Sequence, residues 1–329
     1  MRKAILALAI LASMTSVAHA DKIKVDGNLA VRFDQVDVAK APTTNTEKVA
    51  AEIIVTAKIN DEAKAVIGLA TGDAKTRFTT LGDSNNANKS IGVDLAYVDY
   101  APLKSTKITL GKMYQPWAST PSLFLDKDIH PEGAAVAFNP GQGFTAKVYQ
   151  LKTAQLVGKS DSSVKGFQVG FAHKFGPLNA GVNAGMMNHD YATSTALRTK
   201  FDLKTVNAFA GTEVAGKAVT FFGDYAKNDR ATVNNEAKAI GVTFGKALAK
   251  NPGSWDVSVL HQSVQANALP ALWVDSEFAG GNAQNSGNAF VAKYVVAKNL
   301  KVEATYYDAK FGPAQTANKH LMVDLKAVF

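Results

Sequence analysis

The 329-residue sequence predicts an all-β fold, a transmembrane antiparallel β-barrel of about 16 strands, and three observations carry that expectation. The first is strict alternation at the carboxy-terminal end. Leu321, Val323, Leu325, Ala327 and Phe329 fall on one face of a period-two strand, with His320, Met322, Asp324 and Lys326 on the other. The second is a rhythm in the connections, where short turns alternate with long polar loops, as in barrels that keep their turns at one end and their loops at the other. The third is that an export signal precedes a chain with no run of 18 apolar residues. Such a chain can cross lipid only as a closed barrel, because no other strand arrangement satisfies its backbone groups there.

Taken in order, Met1-Arg2-Lys3 is a basic n-region, Ala4 to Ala12 an apolar h-region and Ala18-His19-Ala20 a small-residue cleavage site. Residues 1–20 therefore read as a signal peptide and 21–329 as one barrel domain. Strands are expected near 23–35, 47–60, 63–72, 91–101, 105–114, 133–139, 143–152 and 164–175. The second half continues near 177–187, 200–213, 216–228, 236–247, 253–264, 287–298, 300–311 and 319–329. Tight turns separate them at 60–62, 102–104, 139–142, 176, 214–215, 249–252 and 299, where Asn, Gly and Pro break the alternation. Long loops are expected at all other junctions, which sorts every odd-to-even connection to one side.

The faces support this order. Ile23, Val25, Leu29, Val31 and Phe33 alternate with Lys24, Asp26, Asn28, Arg32 and Asp34, and Phe167, Val169 and Phe171 alternate with Gln168 and Lys174. A face that mixes both charge signs with amides cannot pack dry without unpaired groups, so it reads as a wetted lumen. Phe138, Phe144, Phe175 and Trp255 cluster at the turn ends, where an interfacial girdle belongs. Only 200–213 and 236–247 are ambiguous in face, with bulges as the expected reason.

Composition excludes several functions. Hydrophobic residues make up 47% and mean hydropathy is −0.05, too polar for helical spans but ordinary for strands with one wet face. There is no cysteine, hence no disulfide framework. Removing Arg2 and Lys3 leaves 34 basic against 28 acidic residues, a net charge of +6 spread along the chain, with no run that marks a nucleic-acid site. The histidines at 130, 173, 189, 261 and 320 lack metal-ligand spacing, so no metal or cofactor is expected. Gly82-Asp83-Ser84-Asn85 matches the opening of an esterase motif by chance, in a loop without a positioned base, and the chain is not expected to be an enzyme.

The ending, apolar at every second position up to a terminal Phe329, resembles the last strand of Gram-negative outer-membrane barrels. Ala96-Tyr97-Val98-Asp99-Tyr100, a turn and Ile108-Thr109-Leu110-Gly111-Lys112 resemble an adjacent-strand pattern of porins, including phosphate-selective ones. Residues 115–132 join the fifth and sixth strands, and Pro131-Glu132-Gly133 resembles an acidic segment of the inward-folded third loop of general porins. The Ser-Thr-Pro-Ser run at 119–122 has the character of a structured part of such a loop. The resemblance implies an acidic side of a constriction at Asp126, Asp128 and Glu132, a basic side at Arg32, Lys58 and Lys147, and an assembly signal at Phe329.

It implies localisation in the outer membrane after export through the periplasm. The implied partners are outer-membrane lipids and lipopolysaccharide, the barrel assembly machinery and further copies in a homotrimer. The expected function is a water-filled channel for passive diffusion of small hydrophilic solutes and ions, mildly anion-preferring because inward bases slightly outnumber inward acids. The alternative is a non-conducting barrel that displays loops such as 73–90 and 266–287 as an adhesin or structural surface.

Overall fold

The computed structural model describes residues 22–73, 75–82, 89–118, 124–154, 162–192 and 198–329, so the expected signal peptide lies outside the described residues. The first eight barrel strands are β1 (Ile23–Val38), β2 (Thr44–Lys58), β3 (Ala63–Thr71), β4 (Ile91–Leu103), β5 (Thr106–Lys112), β6 (Glu132–Gly141), β7 (Phe144–Ala154) and β8 (Ser162–Phe175). They are followed by β9 (Leu178–Ala192), β10 (Arg198–Val214), β11 (Lys217–Asn228), β12 (Glu236–Gly245), β13 (Trp255–Val264), β14 (Asn285–Ala297), β15 (Leu300–Phe311) and β16 (Thr316–Val328). Each pairs antiparallel with its chain neighbours, and β16 pairs with β1 to close the ring of 16. Closure leaves the sheet without an edge, which lipid requires. The segments Ala271–Trp273 and Phe278–Gly281 are short 3-10 turns, and no described helix is long and apolar enough to cross a membrane.

The faces sort as the alternation predicts. Val25, Leu29, Val31 and Phe33 of β1 are exposed, as are Phe167, Val169 and Phe171 of β8, while Arg32, Asp34, Glu52 and Gln168 are buried on the inside. This inverts the arrangement of a water-soluble protein and matches a wall bathed in hydrocarbon. Tyr100, Phe138, Phe144, Phe175 and Phe329 are exposed near the short-turn end, forming an aromatic rim. Phe329 lies over Gly27, where a Cβ would meet its ring at 2.5 Å, and the two residues exchange backbone hydrogen bonds at 2.9 and 3.0 Å.

Three expectations are corrected. The junctions after β1 and β15 are hairpins spanning 39–43 and 312–315 rather than long loops, because the ladder runs past the apolar pattern to the strand tips. Conversely, the junction 246–254 between β12 and β13 is longer than a tight turn. The ambiguous faces of 200–213 and 236–247 do not come from bulges, since neither β10 nor β12 shifts register against its neighbours. Near the long-loop end, β10 points Phe201 and Leu203 inward and Lys204 outward.

The reason is the third correction: the lumen is not wet throughout. Phe201, Leu203, Phe222, Ala237, Leu260 and Val264 of the β10–β13 wall pack against Trp117, Phe124, Leu269, Trp273 and Phe278 from two inward loops. Two corner connections supply this core, residues 113–131 between β5 and β6 and residues 265–284 between β13 and β14. The loop at 265–284 is thus tucked inside the cylinder, which removes much of it from the surface-display role. Of the 115–132 loop, residues 119–122 with the Ser-Thr-Pro-Ser run lie outside the described residues. So do residues 83–85 of the Gly-Asp-Ser match.

Candidate functional site: a charged passage beside an apolar plug

What the plug leaves free is the opposite wall. A cavity of about 420 Å³ runs between the inward loops and β15, β16, β1 and β2. Three local devices bring charge into it.

The first is a short strand at Thr79–Thr80, which pairs with Lys48 and Val49 of β2. β3 ends at Thr71, opposite Ala51 on β2, so the upper edge of β2 would otherwise lack a partner. Thr71 Oγ1 donates to the Arg77 carbonyl at 2.7 Å and fixes the fold-back. Arg77 and Phe78 thereby reach the lumen, where the Phe78 ring lies 3.6 Å from the Arg32 guanidinium, a cation–π contact.

The second is a bulge in β4. Gly68 faces Leu95 but the next residue, Leu69, faces Val93, so Asp94 is the extra residue. Its carboxylate meets Arg77 at 3.1 Å and His130 Nδ1 at 3.0 Å. His130 Nε2 lies 3.2 Å from Arg77 Nη2, which can only donate, so Nε2 accepts and Nδ1 carries the proton given to Asp94. Arg77 also donates to Asp128 at 2.8 Å.

The third is the junction of the two inward loops. The Asp126 carboxylate accepts the amides of Asp128 at 3.0 Å and Ser276 at 3.2 Å, while its own amide donates to the Trp273 carbonyl at 2.6 Å. Asp275 accepts the amides of Glu277 and Phe278 at 3.0 and 2.8 Å, a turn that aims Glu277 at Arg32. Trp273 Nε1 donates to His189 Nε2 at 2.8 Å and anchors the loop to β9. Arg32 completes the arrangement with two bonds to Asp324, at 2.6 and 2.9 Å.

Burial drives the carboxyls of Asp126 and Asp275 up, to about 6 and about 7, against the amides that favour their charged forms. Asp128 beside Asp126, and Glu277 beside Asp275, push in the same direction as burial. Lys127 lines the same cavity with no ion pair or hydrogen bond among the described residues. Lys301 and Lys326 hold Glu303 from the other wall, each at 3.2 Å.

Of the residues singled out from the sequence, Asp126, Asp128 and Arg32 therefore share one cavity. Glu132 does not join them. It starts β6 opposite Lys112, on the face that alternates with the lumen-facing Ala135, and is exposed. Lys58 sits at the short-turn end with Asp61 at 2.6 Å. Lys147 faces inward from β7 but lines a second cavity, of about 260 Å³. Lys127 belongs to the loop singled out from the sequence but has no assigned role there, and nothing in the sequence reading singles out Arg77, Asp275 and Glu277. The apolar run Ala268-Leu269-Pro270-Ala271-Leu272-Trp273-Val274 inside a supposed surface loop was the signal that could have found the last two.

A family model described as "Putative porin" matches residues 14–158 and 145–329. No match is found among curated proteins. Among solved structures, the high-pH form of Pseudomonas putida OprB is similar over 94% of this chain and 94% of that one, at TM-score 0.68 and 11% identity. The trimer form of OmpT, an outer membrane protein of Vibrio cholerae, covers 94% of this chain and 100% of its own at TM-score 0.53 and 12% identity. Acinetobacter baumannii OccAB4 covers 94% and 98% at TM-score 0.51 and 11% identity. At such identities the likeness shows the barrel fold.

Proposed function

Because the chain belongs to this porin family and forms an outer-membrane channel barrel, we propose that it passes small hydrophilic solutes and ions passively through the charged cavity beside the plug, with a mild preference for anions. The observation that carries this reading is the arrangement of opposed charges across one water-accessible space. Arg32, Arg77, Lys127, Lys301 and Lys326 face Asp126, Asp128, Asp275, Glu277 and Glu303. A transverse field of this kind orders water and solutes, and the net local charge sets selectivity. Among the lining residues the formal count is five against five, Asp324 and Asp94 standing behind Arg32 and Arg77, and partial neutralisation of the raised carboxyls of Asp126 and Asp275 near pH 7 shifts the lining toward the bases. Lys127, which makes no ion pair or hydrogen bond among the described residues, adds a further cation to the same space.

Passage needs no chemical step, in keeping with a family and a fold of channels rather than enzymes. The likeness to a trimeric barrel supports a trimer here, with lipopolysaccharide and the assembly machinery as the surroundings of any such wall. Planar bilayers with a salt gradient test the reading. Stepwise conductance with a reversal potential on the anion side is expected; an insulating barrel would favour the display alternative, and a cation-side potential would remove the anion preference.

A further inference from the structure

A second space in the barrel has a different chemistry. The cavity of about 260 Å³ lies beneath the 113–118 segment, toward the short-turn ends of β4 to β7. One side is basic. Lys147 has no ion pair or hydrogen bond among the described residues, and Lys107 reaches only Asp99, at 3.7 Å. Asp99 is already engaged, accepting from Thr109 at 2.5 Å and pairing with Lys64 at 3.3 Å. Asp99 is thus shared between Lys64 and Lys107, and the Lys147 ammonium on the same cavity wall has no carboxylate partner among the described residues. The other side is mainly apolar, with Trp117, Met113, Pro116 and Tyr97 beside Tyr114 and Gln115. Trp117 is 6% exposed, and its Nε1–H is buried with no acceptor among the described residues.

From this pairing we infer a binding subsite for a small organic monoanion with a planar apolar body, an aromatic carboxylate being the simplest member of the class. The carboxylate is taken by the Lys147 and Lys107 ammonium groups, which gain charge-assisted hydrogen bonds in a partly desolvated site. The ring lies on the Trp117 and Met113 wall and gains apolar burial. Neither half suffices: chloride finds the lysines without using the wall, and a neutral aromatic finds the wall while leaving the lysines unpaired. The inference rests on the channel reading for its biological sense, since the subsite would then act as a stepping point on the periplasmic side of the plug.

The test uses benzoate, acetate and benzyl alcohol as probes on the full barrel, folded in detergent for calorimetry and in bilayers for current recording. Benzoate is expected to bind in calorimetry and to reduce the current in a saturable way. Acetate and benzyl alcohol should each bind at least roughly tenfold more weakly, and Lys107→Gln with Lys147→Gln should weaken benzoate by at least roughly tenfold. Trp117→Phe should weaken it less, and Lys58→Gln not at all. Equal binding of acetate and benzoate, or indifference of benzoate binding to the lysine pair, overturns the subsite even in a conducting barrel. Benzoate binding by calorimetry in a barrel that never conducts would uphold the subsite while defeating the transport reading.

Discussion

At the scale of single residues, the decisive fact is how few lumen charges are free. Arg32 is 5% exposed and divides its guanidinium between Asp324, Glu277 and the Phe78 face. Removing it takes the ionic partner of Glu277 away and leaves Asp324 with Lys326 alone, at 3.0 Å, and breaking a buried pair from one side costs about 3–5 kcal/mol. Arg32→Ala is therefore expected to lower the temperature at which the folded barrel changes its gel migration, whereas Lys58→Ala, at an exposed pair, should leave it nearly unchanged. Asp126 and Asp275 make selectivity depend on pH. Both carboxyls sit above the ordinary range, so both are charged at pH 8 and mostly neutral by pH 5, which adds up to about two positive charges to the passage. The reversal potential should move further to the anion side as pH falls through this window. Asp126→Asn with Asp275→Asn should remove most of that movement.

At the scale of elements, the strands were legible and the interior was not. Every barrel strand could be placed because lipid on one side and polar groups on the other impose period two on β1, β8, β9 and β16 alike. The pattern failed on β10 because its loop-end half meets water outside and the plug inside, so Phe201 and Leu203 point the opposite way from what a lipid-facing pattern implies. Nor does period two report where a loop goes. Asp126 and Asp128 were accessible to sequence reasoning through their place between the fifth and sixth strands. Asp275 and Glu277 depend on a turn, on the Trp273 carbonyl and on a histidine 84 residues before Trp273. Deleting residues 268–281 removes half of the plug and should raise single-channel conductance by a factor of several. Unchanged conductance would mean that the passage along β15, β16 and β1 is already limiting elsewhere.

At the scale of the whole molecule, the ring is closed by the meeting of β1 and β16, whose residues are nearly the length of the chain apart. Phe329 covers Gly27 there so closely that any side chain at 27 must displace the ring. Gly27→Leu should cost about 1–3 kcal/mol by overpacking and lower the yield of closed, heat-modifiable barrel. Gly92→Ala, where nothing lies within 4 Å, is the control expected to behave as the parent.

That same meeting line carries a code. Arg32 stands directly opposite Asp324, and Asp34 pairs with His320, which also faces the Glu277 carbonyl through Nδ1. A slip of β16 along β1 by two positions would keep every greasy residue pointing outward, so hydrophobicity alone does not forbid it. The ions do, because in either shifted alignment Arg32 loses Asp324 from across the seam, meeting Met322 after one slip and Lys326 after the other. The cylinder is therefore told which circumference to adopt by opposite charges at its weld, and an unsealed intermediate holds a mismatch of polarity that only correct joining discharges.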